Sequence, residues 1–170
     1  MAAAILLIAL LATATTSGQV NSPPPSLLNR ILHPFASSKK PPKYQDPRLR
    51  GLLFEVTVPT EPVRLSEVRQ LHVKALLSNI GSSPVAIDFP TSQRIDIQLL
   101  DAAGQILTRW SENRVFAEEI GNLLINPHEQ IVYDETIATR ELQPGRVYTA
   151  EVYFPKYPEL RARQKFMTAP

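Results

Sequence analysis

The chain has 170 residues, sixteen of them proline and none cysteine, and a formal net charge of +2. Without cysteine, disulfides, thiol catalysis, zinc–thiolate sites and a lipidated N-terminal cysteine are excluded, so packing alone must hold the fold. The charge is unevenly placed: residues 19–50 carry six basic groups (Arg30, Lys39, Lys40, Lys43, Arg48, Arg50) against Asp46, whereas residues 51–170 hold twelve Lys/Arg against fifteen Asp/Glu. The body of the chain is therefore mildly acidic, which argues against nucleic-acid binding through a basic face.

Met1 to Ala12 is an unbroken apolar stretch, followed by small residues through Gly18. Its core has the length of a signal peptide and is too short to cross about 30 Å of hydrocarbon. The expectation is a signal peptide over residues 1–18, with Ala12-Thr13-Ala14 or Thr16-Ser17-Gly18 as cleavage site, although no Lys or Arg precedes the apolar run. Export to the periplasm or beyond, with no membrane span after cleavage, follows from that reading. A buried N-terminal helix is the structural alternative. Residues 19–50 hold seven of the sixteen prolines and read as a basic, extended linker, because proline fixes φ and removes a donor. Within it Leu27, Leu28, Ile31, Leu32 and Phe35 recur at helical spacing, with Ser26 as a cap and Pro34 as a stop. They read either as a small docking or membrane-surface helix or as a transient turn.

From Leu52 onward the hydrophobic period is two. Leu71, Val73, Ala75 and Leu77 alternate with polar neighbours, as do Ile95, Ile97 and Leu99, and Tyr148, Ala150, Val152 and Phe154. With further candidates at 52–58, 84–88, 104–110, 129–138 and 160–168, the pattern predicts an all-β antiparallel sandwich of seven to eight strands over residues 51–170. Asn79–Pro84, with Gly81 free to take positive φ, Asp101–Gly104 and Pro144-Gly145 supply turns. Phe116–Gly121 reads as irregular, with a helical turn ending at Gly121 or a short strand as alternatives. In the last strand, Arg161, Arg163 and Lys165 share a side opposite Leu160, Ala162 and Phe166; a solvated outer face is expected, and an acidic-partner stripe is the alternative. Trp110 is expected to plug the space between the sheets, in phase with Ile106 and with its N–H bonded nearby, the alternative being a partner anchor.

Four pieces in order carry a family likeness: Asn79-Ile80-Gly81-Ser82-Ser83-Pro84-Val85, Asp88-Phe89-Pro90-Thr91-Ser92-Gln93-Arg94-Ile95-Asp96, Arg109-Trp110-Ser111 and Leu142-Gln143-Pro144-Gly145-Arg146-Val147-Tyr148. Over roughly residues 65–156 the run resembles the BsuPI-type intracellular proteinase inhibitor domain, whose fold is an immunoglobulin-like sandwich. The chain departs from that pattern at Asn126-Pro127-His128-Glu129, where the family shows Pro-Gly, so that the resemblance puts His128 where glycine would allow positive φ, and at Pro90-Thr91-Ser92-Gln93, where it shows Ser-Gly-Gln.

A search for catalytic chemistry returns little. His33, His72 and His128 share no ligand spacing, no Gly-x-Ser-x-Gly elbow is present, and neighbours such as Asp134 and Glu135 face opposite sides of a strand. No catalytic residue, cofactor or metal is expected. The resemblance implies a serine protease of subtilisin type as partner, inhibited by a loop inserted from the sandwich by a protein that acts as a monomer. The candidate contact loops are Phe89, Pro90, Thr91, Ser92 and Gln93, and Ser111, Glu112, Asn113 and Arg114. The alternative function is a non-inhibitory envelope module that binds or acts as a spacer.

Overall fold

A computed structural model describes residues 42–170; residues 1–18, expected to be a signal peptide, and the Leu27–Phe35 pattern lie outside the described residues. The alternation resolves into β1 (Leu52–Thr57), β2 (Gln70–Asn79), β3 (Val85–Phe89), β4 (Asp96–Leu100), β5 (Ile106–Arg109), β6 (Gly121–Ile125), β7 (Gln130–Ala138), β8 (Val147–Phe154) and β9 (Tyr157–Met167). Hydrogen-bonded neighbours run β1-β2-β7 in one sheet, β5-β4-β8-β9 in a second, and β3-β6 in a short ribbon, all antiparallel. The fold is the expected all-β, immunoglobulin-like sandwich, with nine strands among the described residues where seven to eight were expected. The additional strand is β6. Gly121 begins this strand instead of ending a helical turn, and only Leu123 and Ile125 turn inward, too short an alternation to stand out in sequence.

The core lies between the facing layers. Leu71, Val73, Ala75 and Leu77 of β2 meet Ile97 and Leu99 of β4 and Ala150, Val152 and Phe154 of β8 within one buried cluster. Phe154 is its aromatic centre, with ring centroids 5.0 Å from Phe54, 5.8 Å from Tyr133 and 6.1 Å from Phe89. Burial pushes the Tyr133 hydroxyl up to about 12. Where the chain crosses from β7 to β8, Tyr148 Oη accepts the Gln143 N–H at 2.7 Å. This corner pins the crossing connection between sheets, as in other immunoglobulin-like sandwiches.

The β2–β7 and β3–β6 ladders are two parts of one bent ribbon. The first ends at Ser78↔Gln130 and the second begins at Val85↔Ile125, so six residues on one side face four on the other. Asn79, fully buried, fills that mismatch. Its Nδ2 donates to Ser83 O and to Ile125 O, each at 2.9 Å, and its Oδ1 accepts the Gly81 N–H at 3.0 Å. Across from it His128 takes φ 66°, the conformation its position demanded, and donates its backbone N–H to Asn79 O at 2.8 Å. Gly81, free to take positive φ, does not use that freedom. It is small because a Cβ there would lie 3.2 Å from both Asn79 Oδ1 and the Cα of Gly51. Replacing Asn79 with alanine orphans the buried Ile125 carbonyl and strips the half-buried Ser83 carbonyl and Gly81 N–H of their partner, so a loss of about 2–3 kcal/mol is expected in urea unfolding. A loss under about 0.5 kcal/mol would mean that water replaces the amide.

Two further segments close the body. Residues 58–69 link β1 to β2 of the same sheet and on the way reach the end of β9, where Val63 pairs in parallel with Thr168, donating to Met167 O at 2.8 Å and accepting from Ala169 N at 2.8 Å. That contact covers part of the β9 edge, which would otherwise offer unpaired backbone. Residues 44–50, read from sequence as the end of the linker, pack on the domain. Leu49 is buried in the core, and Glu159 accepts the Gln45 N–H at 2.6 Å and the Asp46 N–H at 3.1 Å. The packed body therefore starts before the expected boundary at residue 51.

The outer side of the last strand is solvated as expected, with Arg161, Arg163 and Lys165 exposed and Leu160 and Phe166 buried. Two of these arginines also cover Glu151 of β8, a carboxylate whose place in the alternation had pointed to solvent. Arg163 Nε bonds it directly and Arg161 Nη1 lies 3.6 Å away, leaving Glu151 only 4 % exposed.

Candidate functional site

The site is built on the outer face of the second sheet. Asp96 and Gln98 occupy positions that alternate with the core residues of β4, yet both are buried by neighbouring side chains. Asp96 accepts four hydrogen bonds: from Ile97 N–H at 2.8 Å, Ser111 N–H at 3.2 Å, Ser111 Oγ at 2.7 Å and Tyr153 Oη at 3.2 Å. Gln98 Nε2 donates to the same tyrosine oxygen at 3.0 Å. Burial, followed by the Asp96 carboxylate, raises the Tyr153 hydroxyl above its ordinary value. The network clamps Ser111, in the 3-10 turn Trp110–Asn113 that follows β5.

Beyond that turn the chain runs without regular structure from residue 114 to 120 and stays largely at the surface, Val115 being 100 % and Ile120 84 % exposed. It is nonetheless held at several points. The Arg114 guanidinium lies 3.8 Å from the Trp110 ring centroid and 3.5 Å from Glu135. Phe116 packs on the same indole, with centroids 5.8 Å apart. Ser92 N–H donates to Ala117 O and Ser92 Oγ accepts the Ala117 N–H, both at 2.9 Å. At the far end the Arg94 side chain lies against Gly121, where any Cβ would collide with it, and its guanidinium sits 4.4 Å from the Phe89 ring centroid.

The two loops singled out from sequence are thus one structure, joined through Ser92 and Ala117. Their residues divide by role. Phe89 is a correction: at 1 % exposure it belongs to the aromatic core and touches no partner. Thr91 Oγ1 accepts the Gln93 N–H at 3.2 Å, Thr91 O accepts Arg94 Nη1 at 2.6 Å, and Gln93 Nε2 donates to Ile95 O at 3.3 Å, so this stretch braces itself. Pro90, Ser92, Glu112, Asn113 and Arg114 are exposed, while Ser111 is held inward. Trp110 is a second correction. It packs half-buried on the rim of the core, its buried Nε1 meets no protein acceptor, and Ile106, its expected inward partner, is 46 % exposed. The edge strand β5 ends before the tryptophan, so the alternation does not carry through to it.

Sequence reasoning stopped at Arg114 and missed the most exposed part, 115–120. The readable signal was Val115 and Ile120 flanking Glu118-Glu119 with no alternation, which leaves these apolar groups no sheet to face.

Residues 58–158, more than half of the chain, match the model of the BsuPI family, described as intracellular proteinase inhibitor. The chain belongs to the BsuPI family. The BsuPI-like residues quoted above are now seen as frame: Asn79 stitches the ribbon, Asp96 and Ser111 clamp the loop stem, and Tyr148 pins the sheet crossing. No curated protein matches the chain. Among solved structures, it is similar to a β-glucosidase from Listeria innocua in complex with isofagomine, at 12% identity and TM-score 0.42, covering 70% of this chain and 16% of that one. It is also similar to a Bacteroides uniformis β-glucuronidase (11% identity, TM-score 0.36, 68% and 12% covered) and a Kluyveromyces marxianus β-glucosidase (8% identity, TM-score 0.36, 70% and 14% covered). The chain spans less than a fifth of the length of each of these enzymes. Among the described residues no helix is long and apolar enough to cross a membrane.

Proposed function

We propose that the protein inhibits a serine protease of subtilisin type, presenting residues 114–120 to the protease cleft as an added strand. The observation that carries this reading is an exposed segment that leaves the 3-10 turn extended at Arg114 and is tied down by Asp96 at Ser111, Trp110 and Glu135 at Arg114, and Ser92 at Ala117. Such bracing is what an inhibitor requires. A loop already held in its bound form loses little entropy on docking, whereas a loose one binds weakly and is cut. The family supports proteinase inhibition; the protease class and loop insertion are this proposal's own.

With residues 1–18 read as an export signal, the target belongs to the bacterial envelope or its surroundings, and the protein acts there as a monomer in a one-to-one complex. The test is to titrate the whole chain against a subtilisin-type protease and follow residual activity and complex formation by size exclusion. Stoichiometric loss of activity with a stable complex is the expected result. Digestion of the chain with no residual inhibition would discard this reading and leave the non-inhibitory envelope module.

A further inference from the structure

We propose that Val115 is the residue that fills the primary pocket of the target protease, directing the protein to enzymes that accept a small β-branched aliphatic side chain. This rests on the inhibitory reading above and adds its specificity.

Within the loop, Arg114 and Phe116 are both committed to Trp110, at 3.8 Å and 5.8 Å, and Val115 between them is 100 % exposed. The backbone leaves the 3-10 turn extended, with φ −123° and ψ 145° at Arg114. In extended chain alternate side chains point to opposite sides, so anchoring the two neighbours inward aims Val115 outward. Valine has a stiff χ1 and no polar atom, so it brings a pre-set apolar shape that gains by being buried in a partner.

The neighbours are poor substitutes for that role. A pocket for basic side chains would have to pull Arg114 off the indole and away from Glu135, 3.5 Å distant. A pocket for large aromatics would have to remove Phe116 from the same ring. Ile120, 84 % exposed, is the rival apolar group, but the next residue is already paired in the β3–β6 ladder, Phe89↔Gly121. Ile120 is thus tethered to a formed ladder at the very next residue, whereas Val115 and Phe116 lie between two single ties, Arg114 N–H to Ser111 O and Ala117 to Ser92, and their own backbones make no hydrogen bond among the described residues.

The same anchors explain how the loop would survive attack. Hydrolysis of the Val115–Phe116 bond consumes one water and leaves a carboxylate on Val115 and an amine on Phe116. Arg114 on one fragment end and Phe116 on the other stay seated on one indole, with Ala117 tied to Ser92. The new ends therefore remain close, at an effective concentration that favours resealing over release.

The test measures inhibition constants of the whole chain against serine proteases with small aliphatic, large aromatic and basic primary pockets. The native chain is expected to bind the aliphatic-pocket enzyme at least about tenfold more tightly than the others. Val115→Asp should weaken that inhibition at least about 100-fold, Val115→Arg should move preference to the basic-pocket enzyme, and Ile120→Asp should change it less than about threefold. Mass spectrometry of long incubations should locate trace cleavage at Val115–Phe116. Inhibition that survives Val115→Asp and Val115→Arg with an unchanged profile, or that is lost with Ile120→Asp instead, overturns the assignment of Val115 while leaving inhibition intact. No inhibition of any protease by the native chain overturns both. Val115 is fully exposed, and an unchanged circular dichroism spectrum separates loss of binding from loss of fold.

Discussion

Phe154→Ala is expected to lower unfolding stability by about 3–5 kcal/mol, the largest effect of any single truncation proposed for this protein. Phe154 is fully buried at the last position of β8 and is the ring on which three others converge: Phe54 from β1, Tyr133 from β7 and Phe89 from β3. Its removal takes away the transfer energy of a phenyl group and leaves a cavity among residues drawn from separate sheets, which cannot all collapse inward together. With no disulfide in the chain, nothing outside packing offsets the loss. Because Phe89 closes the β3 end from which the bracing loop departs, faster amide exchange at Ser92 and Ala117 should accompany the shift in urea midpoint. A loss below about 1 kcal/mol would show that the sheets repack around the gap, contrary to this account of the core.

Asp96→Ala is expected to weaken protease inhibition at least about tenfold and to cost about 3 kcal/mol, since it strips the acceptor from the buried Ile97 N–H and from three half-buried donors at once. Ser111, by both its N–H and its hydroxyl, and Tyr153 depend on this carboxylate. Asp96→Asn should recover only part of the loss, because its amide presents donors where Ser111 also donates. A separate readout identifies the network. The Tyr153 hydroxyl is held above its ordinary 10.0 first by burial and then by Asp96, so spectrophotometric titration of the alanine variant should show it ionising at lower pH. The sign is fixed by linkage: neutral Tyr153 contributes stability that is complete below its unfolded value and is lost as pH rises through the higher folded value. Should the variant lose stability while inhibition stays intact, the loop stem would not need this clamp, and the bracing argument would fail at its N-terminal end.

How much of this was legible in sequence depends on whether the deciding signal was local. The strands of β2, β4 and β8 were readable because apolar residues recur at every second position along them, as at Leu71 to Leu77, Ile95 to Leu99 and Tyr148 to Phe154. The turns at Asp101–Gly104 and Pro144-Gly145 were readable from turn chemistry, and the positive φ of His128 from the glycine that the family shows at its place. β6 was not, since five residues beginning with Gly-Asn hold too few alternations to identify a strand, and its existence depends on β3 lying beside it. Asp96 and Glu151 were read as outward-facing. They are outward on the pleat but buried, because Ser111, Tyr153 and two arginines from distant positions fold over them.

For the candidate site the division is sharper. The sequence alone determined an all-β chain with no thiol chemistry and no histidine or serine motif of an enzyme, because those conclusions need only residue identity and period. It also marked the two connections, around Phe89–Gln93 and Ser111–Arg114. Only the tertiary structure decided that they are one braced unit, that Phe89 serves the core, and that the exposed segment is 114–120. Hydrogen bonds such as Ser92 to Ala117 join residues 25 apart in the chain. Which side chain is left facing outward is settled by what the neighbours touch across that distance, and no local pattern carries that information.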